Sequence, residues 1–454
     1  MKKKNFICIS ALCALMSFSF VGCSDDDDPI VDQSHVVSNL NFTDENPEAL
    51  KISGTLSWEA PTLTDGFTKY VIYSSSDGTS KDAKIGEVAI GTNTFAVPYT
   101  VSLGYLLVVT ASESNEDSAG ASIPVTDYVE DDSVSALYFL SSGNMGNNNA
   151  SLTMYDIESG KVTQDYFKER NGRGLGDTAQ DMIVYGDKMY IAVYGESTIE
   201  VTNLKAKSIK QIKTEGQPRA MVADGGKVYV TYYNGYVARL DTASLEVDAT
   251  VAVGRNPEQL AVANNKLYVA NSGGMDYNTE VGYDKTVSVI DIPSFVETKK
   301  LEVVLNPTSV QADKQGNVYV VSMGNYGDIL NTMQCIDSKT DEVSVLKACP
   351  NATEMAYLDG TLYTFYSQYD ANWNTTITFT NYNTETGVAQ EWTKDATIAK
   401  PYKMCATGSN IYVTESDYTN NGDVYGFDAN GKLILKAEAG LNPMKVVLAQ
   451  KDNI

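Results

Sequence analysis

A short strand with tyrosine near its centre returns seven times in the C-terminal two thirds of the chain, and this repeat limits the possible folds. The seven tyrosines each follow an aliphatic or methionine residue, and they are Tyr138, Tyr190, Tyr229, Tyr268, Tyr319, Tyr363 and Tyr412. Their separations of 52, 39, 39, 51, 44 and 49 residues are typical of four-stranded propeller blades with loops of variable length. The repeat therefore predicts an all-β fold with a seven-bladed β-propeller.

The repeat around Tyr268 shows the predicted strands of one blade, which we label A to D. Gln259 to Ala263 and Lys266 to Ala270 are rich in apolar and β-branched residues, and the Asn-Asn pair between them is typical of a tight hairpin turn. Thr286 to Ile290 and Thr298 to Val304 follow as the third and fourth strands. Each full repeat thus predicts a four-stranded antiparallel sheet.

The two ends of the repeat region are incomplete in complementary ways. Tyr138 lies in a B strand that no A strand precedes, whereas Asn442 to Leu448 copies the A-strand segments that begin at Asn256 and Asn306 but has no B strand after it. A C-terminal A strand that pairs with the first B strand would complete one blade and leave no open sheet edge. The sequence predicts closure of the ring by this strand.

The N-terminus predicts export and lipid anchoring. Residues 1–22 combine three lysines with an apolar stretch too short to span a membrane as a mature helix, and Cys23 follows in a Val-Gly-Cys-Ser sequence that resembles a bacterial lipobox. Cleavage would leave Cys23 for lipidation. The acidic run Asp25 to Asp28 resembles the export signal of lipoproteins in some Gram-negative groups, which implies display on the outer face of the outer membrane, and a merely solvated linker is the alternative. We assign residues 23–38 to a lipidated acidic tether.

A first folded domain is expected over residues 39–128, before the propeller at 133–454. Its predicted strands are Leu50 to Trp58, Lys69 to Ser74, Ala83 to Ala89, Thr94 to Pro98 and Tyr105 to Glu113, at the spacing of a small β-sandwich. Trp58 and the Tyr70 to Tyr73 segment resemble those of immunoglobulin or fibronectin type III modules. Such a module would act as a spacer.

Charge and cysteine content exclude several functions. Without residues 1–22 the chain keeps 31 basic and 58 acidic residues, a net charge of −27, which disfavours binding to nucleic acid or to an anionic membrane face. Three cysteines remain after Cys23, namely Cys335, Cys349 and Cys405. Buried free thiols are the favoured interpretation, and a bridge between Cys335 and Cys349 is the alternative.

Catalysis and resident cofactors are not expected. The single histidine, His35, precedes the propeller, so histidine-dependent triads and His-based zinc or haem ligation are not available to that domain. Carboxylate pairs and calcium bound by Asp side chains and carbonyl oxygens stay open. However, no two acids stand out by spacing, and Asn271 to Asp284 lacks the spacing of an EF-hand loop.

The propeller face that carries the B-to-C loops is the candidate ligand face. These loops are long, unequal and rich in Asn, Gly, Met and aromatic residues, as in Ser141 to Asn149, Asn271 to Lys285 and Tyr366 to Asn374. Aromatic rings bury large areas at low entropic cost, and amides supply directional hydrogen bonds. This composition predicts a site for a large, neutral, amphipathic ligand, whereas the short turns of the opposite face are explained by turn formation.

The segments LYFLSSGNMGNNNASLTMYD from Leu137, NPEQLAVANNKLYVANSGG and DKTVSVIDI resemble the YncE-like, surface-layer-type propeller lipoproteins of gut Bacteroidota. Within that group the chain looks like the BtuG type, which captures cobalamin and other corrinoids for a TonB-dependent outer-membrane transporter. The resemblance covers Ser133 to the C-terminus and leaves the N-terminal sandwich unexplained. It implies a corrinoid-binding surface lipoprotein without catalytic groups.

The candidate ligand residues combine this resemblance with the composition of the loop face. Expected contacts to the face of a corrinoid ring are Asn144, Met145, Tyr194, Tyr233, Tyr277, Tyr326, Tyr369, Trp373 and Tyr418, and expected polar donors are Arg173, Arg219 and Arg255. A glycan- or peptide-binding lipoprotein of a polysaccharide-uptake system is the competing prediction, because Trp and Tyr also stack on sugars. A scaffold that contacts a transporter barrel is a third.

Overall fold

The computed structural model describes six stretches of the chain, residues 33–46, 51–101, 104–127, 134–369, 375–392 and 394–450. The predicted signal peptide, the lipidation site at Cys23 and the acidic run Asp25 to Asp28 lie outside these residues. The chain divides into two compact units, Met1–Asp131 and Asp132–Ile454. Within the described stretches no helix is both long enough and apolar enough to cross a membrane.

The N-terminal unit is a β-sandwich of one three-stranded sheet, β1-β2-β5, and one four-stranded sheet, β4-β3-β6-β7. After a 3-10 turn at Gln33–His35, its strands are β1 (Ser38–Phe42), β2 (Lys51–Glu59), β3 (Lys69–Ser75), β4 (Ala83–Ala89), β5 (Thr94–Val101), β6 (Tyr105–Ala111) and β7 (Glu116–Pro124). The sequence prediction misses β1 and β7. Both lie at sheet edges, and their few buried residues give little hydrophobic signal.

The core of this sandwich is built around Trp58 on β2 and Tyr70 on β3. Their rings meet edge to face with centroids 5.3 Å apart, a favoured aromatic geometry. Leu56 and Val108 are fully buried beside them. Val37 also lies in this core and is 3% exposed, so the folded unit extends back beyond the predicted boundary at residue 39.

The C-terminal unit begins with a sheet that joins the two ends of the domain. Its N-terminal strands are β8 (Ser135–Ser141), β9 (Ser151–Asp156) and β10 (Val162–Thr163), and a helix α1 (Tyr166–Asn171) follows them. The fourth strand of this sheet, β35 (Pro443–Gln450), comes from the C-terminus of the described chain, and the strand order is β10-β9-β8-β35. The sequence prediction contains no counterpart of α1, which buries Phe167 in the core.

Six further four-stranded antiparallel sheets follow in chain order, so that the described part of this unit contains seven. Their strands are β11 (Ala179–Tyr185), β12 (Lys188–Val193), β13 (Thr198–Asn203), β14 (Ser208–Lys213), β15 (Pro218–Asp224), β16 (Lys227–Tyr232), β17 (Tyr236–Asp241), β18 (Glu246–Ala252), β19 (Pro257–Ala263), β20 (Lys266–Asn271), β21 (Thr286–Asp291), β22 (Val296–Glu302), β23 (Pro307–Ala312), β24 (Asn317–Ser322), β25 (Thr332–Asp337), β26 (Val343–Val345), β27 (Glu354–Leu358), β28 (Thr361–Tyr369), β29 (Thr375–Asn383), β30 (Ala389–Glu391), β31 (Pro401–Thr407), β32 (Asn410–Glu415), β33 (Asn421–Phe427) and β34 (Leu433–Leu441), with a 3-10 turn at Gly274–Asp276 between β20 and β21.

The C-terminal strand closes the ring as the sequence predicts. β35 runs antiparallel to β8, with Pro443 opposite Ser141 and Gln450 opposite Ser135. The innermost strands of successive sheets contact one another around the whole circle, in the order β11, β15, β19, β23, β27, β31, β35 and back to β11. The all-β propeller class and its closure by the C-terminal strand are confirmed.

The repeated tyrosine is part of the scaffold in every sheet. All seven copies are at most 4% exposed, and buried aromatic rings dominate the packing energy of such cores. Most of the buried hydroxyls have a partner. Tyr138 Oη donates to the Leu204 carbonyl at 2.8 Å and Tyr319 Oη donates to the Asp313 carboxylate at 3.0 Å. Tyr190 Oη has no partner among the described residues.

The A-to-B turns lie on the propeller face opposite the B-to-C loops, and they are short hairpin turns, as their composition predicts. Asn264 and Asn265 both have positive φ, 48° and 60°, as a two-residue type I′ turn requires. Asparagine adopts this left-handed backbone conformation more readily than most residues. These turn residues therefore serve the hairpin.

The three cysteines of the propeller are all free thiols. Cys349 and Cys405 are buried and Cys335 is partly buried. Burial raises the pKa of each, to about 11 for Cys335 and Cys405. The interpretation as free thiols is confirmed, and the alternative bridge between Cys335 and Cys349 is absent from the described residues.

Candidate functional site

A cavity of about 770 Å³ occupies the central channel of the propeller. The innermost strands line it, and at one end it is surrounded by the loop Met323 to Asn331, the end of β28 at Tyr366 to Gln368, and Tyr418. The first segment and Tyr418 belong to B-to-C loops, whereas Tyr366 to Gln368, predicted as the start of such a loop, extend the B strand β28, because they pair with β29. The cavity therefore opens on the face that the sequence predicts to bind a ligand, and its volume is within the roughly 300–1,000 Å³ of typical small-molecule sites.

Six charged side chains line the channel just below this opening, and we call them the charged ring. They form three cation–carboxylate pairs between neighbouring innermost strands, Arg219–Glu258, Lys403–Glu354 and Lys445–Asp181. Arg219 donates from Nε at 2.6 Å and from Nη2 at 3.2 Å to the two Glu258 oxygens, and Lys445 Nζ lies 3.1 Å from Asp181. The ring is electrically neutral as a whole.

The cations of the charged ring keep their charge at neutral pH. For Lys403 and Lys445, burial alone would lower the pKa, but the carboxylates of Glu354 and Asp181 more than offset this effect and the pKa of each lysine is raised. The pKa of Arg219 is likewise raised, because Glu258 outweighs the opposing effect of burial. The channel thus contains fixed charges. No group of three or more His, Cys, Asp or Glu in the described stretches could hold a metal ion.

Two exposed tyrosines stand at the opening, each on a left-handed backbone. Tyr326 has a φ of 55° and is 69% exposed, and Tyr418 has a φ of 63° and is 62% exposed. Left-handed aromatic residues are uncommon and require local support. For Tyr326 the support comes from Asn325 Oδ1, which accepts the N–H groups of Gly327 and Ile329 at 3.0 Å each.

The support of Tyr418 reaches the closing strand of the ring. Ser416 Oγ accepts the Tyr418 N–H at 3.0 Å and lies 2.6 Å from Asn442 Oδ1. The Tyr418 ring also meets the Tyr402 ring edge to face, with the ring centroids 5.4 Å apart. Tyr326 and Tyr418 are therefore both held in place before a ligand binds, which lowers the entropic cost of binding.

Of the predicted ligand residues, Arg219, Tyr326 and Tyr418 line the cavity. Tyr194 and Tyr233 form an edge-to-face pair at 5.8 Å, and the Arg219 guanidinium lies 5.2 Å from the centre of the Tyr233 ring. Burial raises the pKa of Tyr233 to about 12. This pair therefore lies beside the charged ring and positions Arg219 from one side.

A second, shallower depression of about 380 Å³ contains Tyr233, Arg255 and Met275. Arg255 is paired with Asp276, and its Nε lies 3.7 Å from Asp284. Its charge is thus already compensated within its own loop. Tyr277 is the residue after Asp276, the last lining residue of this depression in sequence, and is 63% exposed.

Asn144, Met145 and Arg173 lie away from both depressions. Asn144 Oδ1 accepts a hydrogen bond from Asn442 Nδ2 at 3.1 Å, and its neighbour Met145 is 72% exposed. Arg173 Nη2 donates at 2.8 Å to Glu200, whose side chain is fully buried. Arg173 therefore neutralises a buried carboxylate of β13. The Tyr369 side chain and Trp373 lie outside the described residues.

Sequence reasoning missed most of the charged ring. Arg219 is among the predicted ligand residues. The other five members lie on innermost strands and were not predicted as ligand residues, and they are Asp181, Glu258, Glu354, Lys403 and Lys445. A signal was present, since the first or the second position after the aligned proline carries a charge in several repeats, as in Glu258, Lys403 and Lys445. Charged residues at one level of an innermost strand indicate a polar channel.

The comparisons with known proteins identify a family. A family model described as Domain of unknown function (DUF5074) matches residues 136–437. Similar solved structures include hydrazine synthase of Kuenenia stuttgartiensis, with 17% identity over 58% of this chain and 87% of that chain at a TM-score of 0.48. A putative 6-phosphogluconolactonase from Bacteroides fragilis has 11% identity over 69% and 98% at 0.49.

A further similar structure is BamB from Moraxella catarrhalis, with 14% identity over 66% of this chain and 81% of that chain at a TM-score of 0.38. At these identities and scores, none of the three bears on ligand or activity. No curated protein matches the chain.

Proposed function

We infer the role of the chain from its own site, because the chain belongs to the DUF5074 family, whose description names no function. We propose that it is a surface-exposed outer-membrane lipoprotein. It binds a ligand at the mouth of the propeller channel, which is the opening that Tyr326 and Tyr418 flank. The observation that carries this proposal is the cavity of about 770 Å³ whose opening displays Tyr326 and Tyr418 on preformed left-handed turns. Exposed rings around a concave site are typical of binding surfaces.

The ligand that fits best is cobalamin or another corrinoid, captured for a TonB-dependent outer-membrane transporter. A corrinoid has a large, flat macrocycle that aromatic rings can cover, and its amide fringe can exchange hydrogen bonds with amide side chains. Gln368 and Asn331 supply such amides at the opening. The resemblance of the repeat sequences to BtuG-type lipoproteins supports the same ligand.

Binding without catalysis is part of the proposal. The single histidine, His35, belongs to the N-terminal unit, where its ring packs 4.9 Å from that of Phe67. Each carboxylate of the charged ring is paired with a cation, an arrangement that favours a fixed polar environment over proton transfer. The N-terminal sandwich would then serve as a spacer between the lipid anchor and the propeller.

Corrinoid binding can be tested by titration calorimetry of the mature chain with cyanocobalamin. Replacing Tyr326 and Tyr418 together by alanine should weaken binding by about ten-fold or more, since each lost aromatic contact removes roughly 1 kcal/mol or more. The melting temperature should stay nearly unchanged because both side chains are exposed. Tyr236→Ala is the matched control, because Tyr236 is 42% exposed but lines only the second depression. Absence of corrinoid binding by the parent protein would refute this ligand.

Lipid anchoring at Cys23 has its own test. Cys23→Ser should abolish incorporation of labelled fatty acid and release the protein from the membrane fraction, and the parent protein should be digested by protease added to whole cells. Parent protein that resists protease on intact cells but is cleaved after lysis would contradict surface display.

A glycan- or peptide-binding lipoprotein of a polysaccharide-uptake system is the second candidate. It is favoured by the same exposed rings of Tyr326 and Tyr418, because flat aromatic surfaces also stack on sugar rings. One screen of cobalamin against a glycan panel distinguishes the two. Neighbouring genes for corrinoid transport would support the first candidate, and neighbouring glycoside hydrolases would support the second.

A further inference from the structure

We propose that the charged ring is a subsite for an anionic oxygen group, a phosphate or carboxylate, of the ligand that enters the channel. This inference rests on the proposed function only in taking the channel as the ligand site. It assigns a chemical class to the end of the ligand that reaches deepest. The mouth would contact the apolar and aromatic body of the same molecule.

The three pairs of the ring share one pattern of exposure. The cationic side chains are 29% exposed in Arg219, 29% in Lys403 and 30% in Lys445, whereas their partner carboxylates are only 9–12% exposed. All six residues line the cavity, and the cations are the more accessible members of each pair. The most accessible charges in the channel are therefore positive, although the ring is neutral as a whole.

This difference in accessibility favours anions. Coulomb energy falls with distance, so an oxygen that touches the accessible cation of a pair gains more from it than it loses to the less accessible carboxylate, and the contrast is greatest in a partly desolvated channel. The acidic surface of the protein acts over a longer range, and salt screens it beyond a Debye length of about 8 Å at physiological ionic strength. The negative net charge should therefore slow the entry of an anion more than it weakens its binding.

The cations also have donors to spare. Each ammonium group carries three N–H donors, and one acceptor each, Glu354 and Asp181, is found for Lys403 and Lys445 among the described residues. Arg219 uses Nε and Nη2 for Glu258 and Nη1 for Gln180 at 2.7 Å, which leaves further N–H bonds of its five. The ring can thus donate to an incoming oxygen without breaking its own pairs.

The three pairs line one cavity. The positive charge of Arg219 is among the influences that lower the pKa of Lys403, and Glu354 acts on Lys445 as well as on Lys403. An anion near the channel axis would therefore interact with all three cations.

The walls above the ring set the other end of the ligand. Met323, Ile329 and Leu330 line the cavity at its opening, and Leu330 is 52% exposed. Apolar contacts here and charge-assisted hydrogen bonds below would orient an amphipathic molecule with its anionic group inward. A phosphate could belong to a phosphodiester inside a larger ligand or to a small free metabolite.

Inorganic phosphate is the first probe, with binding to the mature chain followed by ³¹P line broadening. The test variant replaces Lys403 by Met and Glu354 by Gln together, which removes one pair without leaving a buried charge. The control replaces Lys314 by Met and Asp359 by Asn, a pair whose side chains are both 74% exposed. Phosphate affinity should fall roughly ten-fold in the ring variant, the scale of one charge-assisted hydrogen bond, and stay unchanged in the control.

A conservative variant separates charge from packing. Lys403→Arg keeps the cation and should retain most of the phosphate binding, whereas a purely structural role of the ring would predict no such rescue. Equal phosphate affinity in the parent protein, the ring variant and the control would overturn the proposal, as would the absence of saturable phosphate binding.

Two corrinoids distinguish failure of this inference from failure of the corrinoid proposal. Cobalamin contains a phosphodiester, and cobinamide lacks it, so the ring variant should weaken cobalamin more than cobinamide. Corrinoid binding with equal effects on both would overturn the phosphate subsite and leave the corrinoid proposal standing. Phosphate binding that the ring variant weakens, without binding of either corrinoid, would support the subsite and refute the corrinoid.

Discussion

Replacing Lys403 by methionine tests whether the charged ring is as buried as its side-chain exposures indicate. The Glu354 side chain is 9% exposed, and its donors are Lys403 and the hydroxyl of Ser309 at 3.4 Å. Methionine fills a similar volume but leaves this carboxylate without a counter-charge. Breaking a buried pair costs roughly 3–5 kcal/mol, and we expect about 2–4 kcal/mol because Lys403 itself is 29% exposed and partly solvated.

The measurement is the free energy of unfolding of the propeller transition in urea, followed by circular dichroism. Lys314→Met is the matched control, because Lys314 and its partner Asp359 are both 74% exposed and exposed pairs contribute at most about 1 kcal/mol. Adding Glu354→Gln to Lys403→Met should restore most of the lost stability, since the uncompensated charge disappears. Equal losses in the two lysine variants, or no recovery in the double variant, would refute the reasoning.

The pH dependence of the same variant provides a second check with a defined sign. The folded-state pKa of Lys403 is raised above its ordinary value of 10.5, so its stabilising contribution is complete below that pH. The contribution is lost as the pH rises through the folded-state pKa. The stability difference between the parent protein and Lys403→Met should therefore be constant near neutrality and shrink above about pH 10.5. A difference that grows at high pH would contradict the pairing.

Three further predictions concern the scaffold and the mouth. Tyr190→Phe should be neutral or stabilising by up to about 1 kcal/mol, because the buried Tyr190 hydroxyl has no partner among the described residues. Tyr319→Phe should instead cost about 1–2 kcal/mol, because it removes a hydrogen bond to the Asp313 carboxylate. Thermal unfolding of the two variants compares these effects. Gly324→Ala should weaken ligand binding several-fold, since at a φ of 64° its new Cβ would collide with a carbonyl of the mouth loop. Gly225→Ala, at a φ of 56° with no atom within 4 Å, should leave titrated affinity unchanged. Deleting residues 440–454 removes β35 and should abolish the cooperative unfolding transition, whereas removing only the residues after β35 should not, and calorimetry checks both.

The architecture of the propeller was predictable because its signals are local and repeated. Each sheet repeats the same alternation around a buried tyrosine, as at Tyr268, and hairpin turns such as Asn264 to Asn265 mark the strand ends. Closure was predictable because an unpaired copy of the repeat at Asn442 to Leu448 complements the missing strand before Tyr138. Edge strands with few buried residues, such as β7, carry no comparable signal.

The site was predictable only in part, because side-chain pairing joins residues far apart in sequence. Arg173 looks like a ligand donor from its loop position, but Glu200 on β13 engages it 27 residues later. Conversely, Lys403 looks like scaffold from its strand position, but its partner Glu354 lies on the preceding innermost strand, 49 residues earlier. Loop composition singled out the face on which the cavity opens, with Tyr326 and Tyr418 beside it, but could not indicate the depth of the channel below them.

The two layers of the propeller differ in what their side chains contribute. The buried tyrosine layer, represented by Tyr268, stabilises the sheets through apolar area and so explains why the fold tolerates unequal loops. The charged ring contributes little net stability, since three pairs must be desolvated and apolar residues of similar volume are often at least as stabilising. Its physical effect is to keep the channel polar, with Arg219, Lys403 and Lys445 as the most accessible charges. A polar channel below an opening with exposed tyrosine rings would favour a ligand that has an anionic end and a flat body on which those rings can stack. The variants of the Lys403–Glu354 pair separate anion binding from stability.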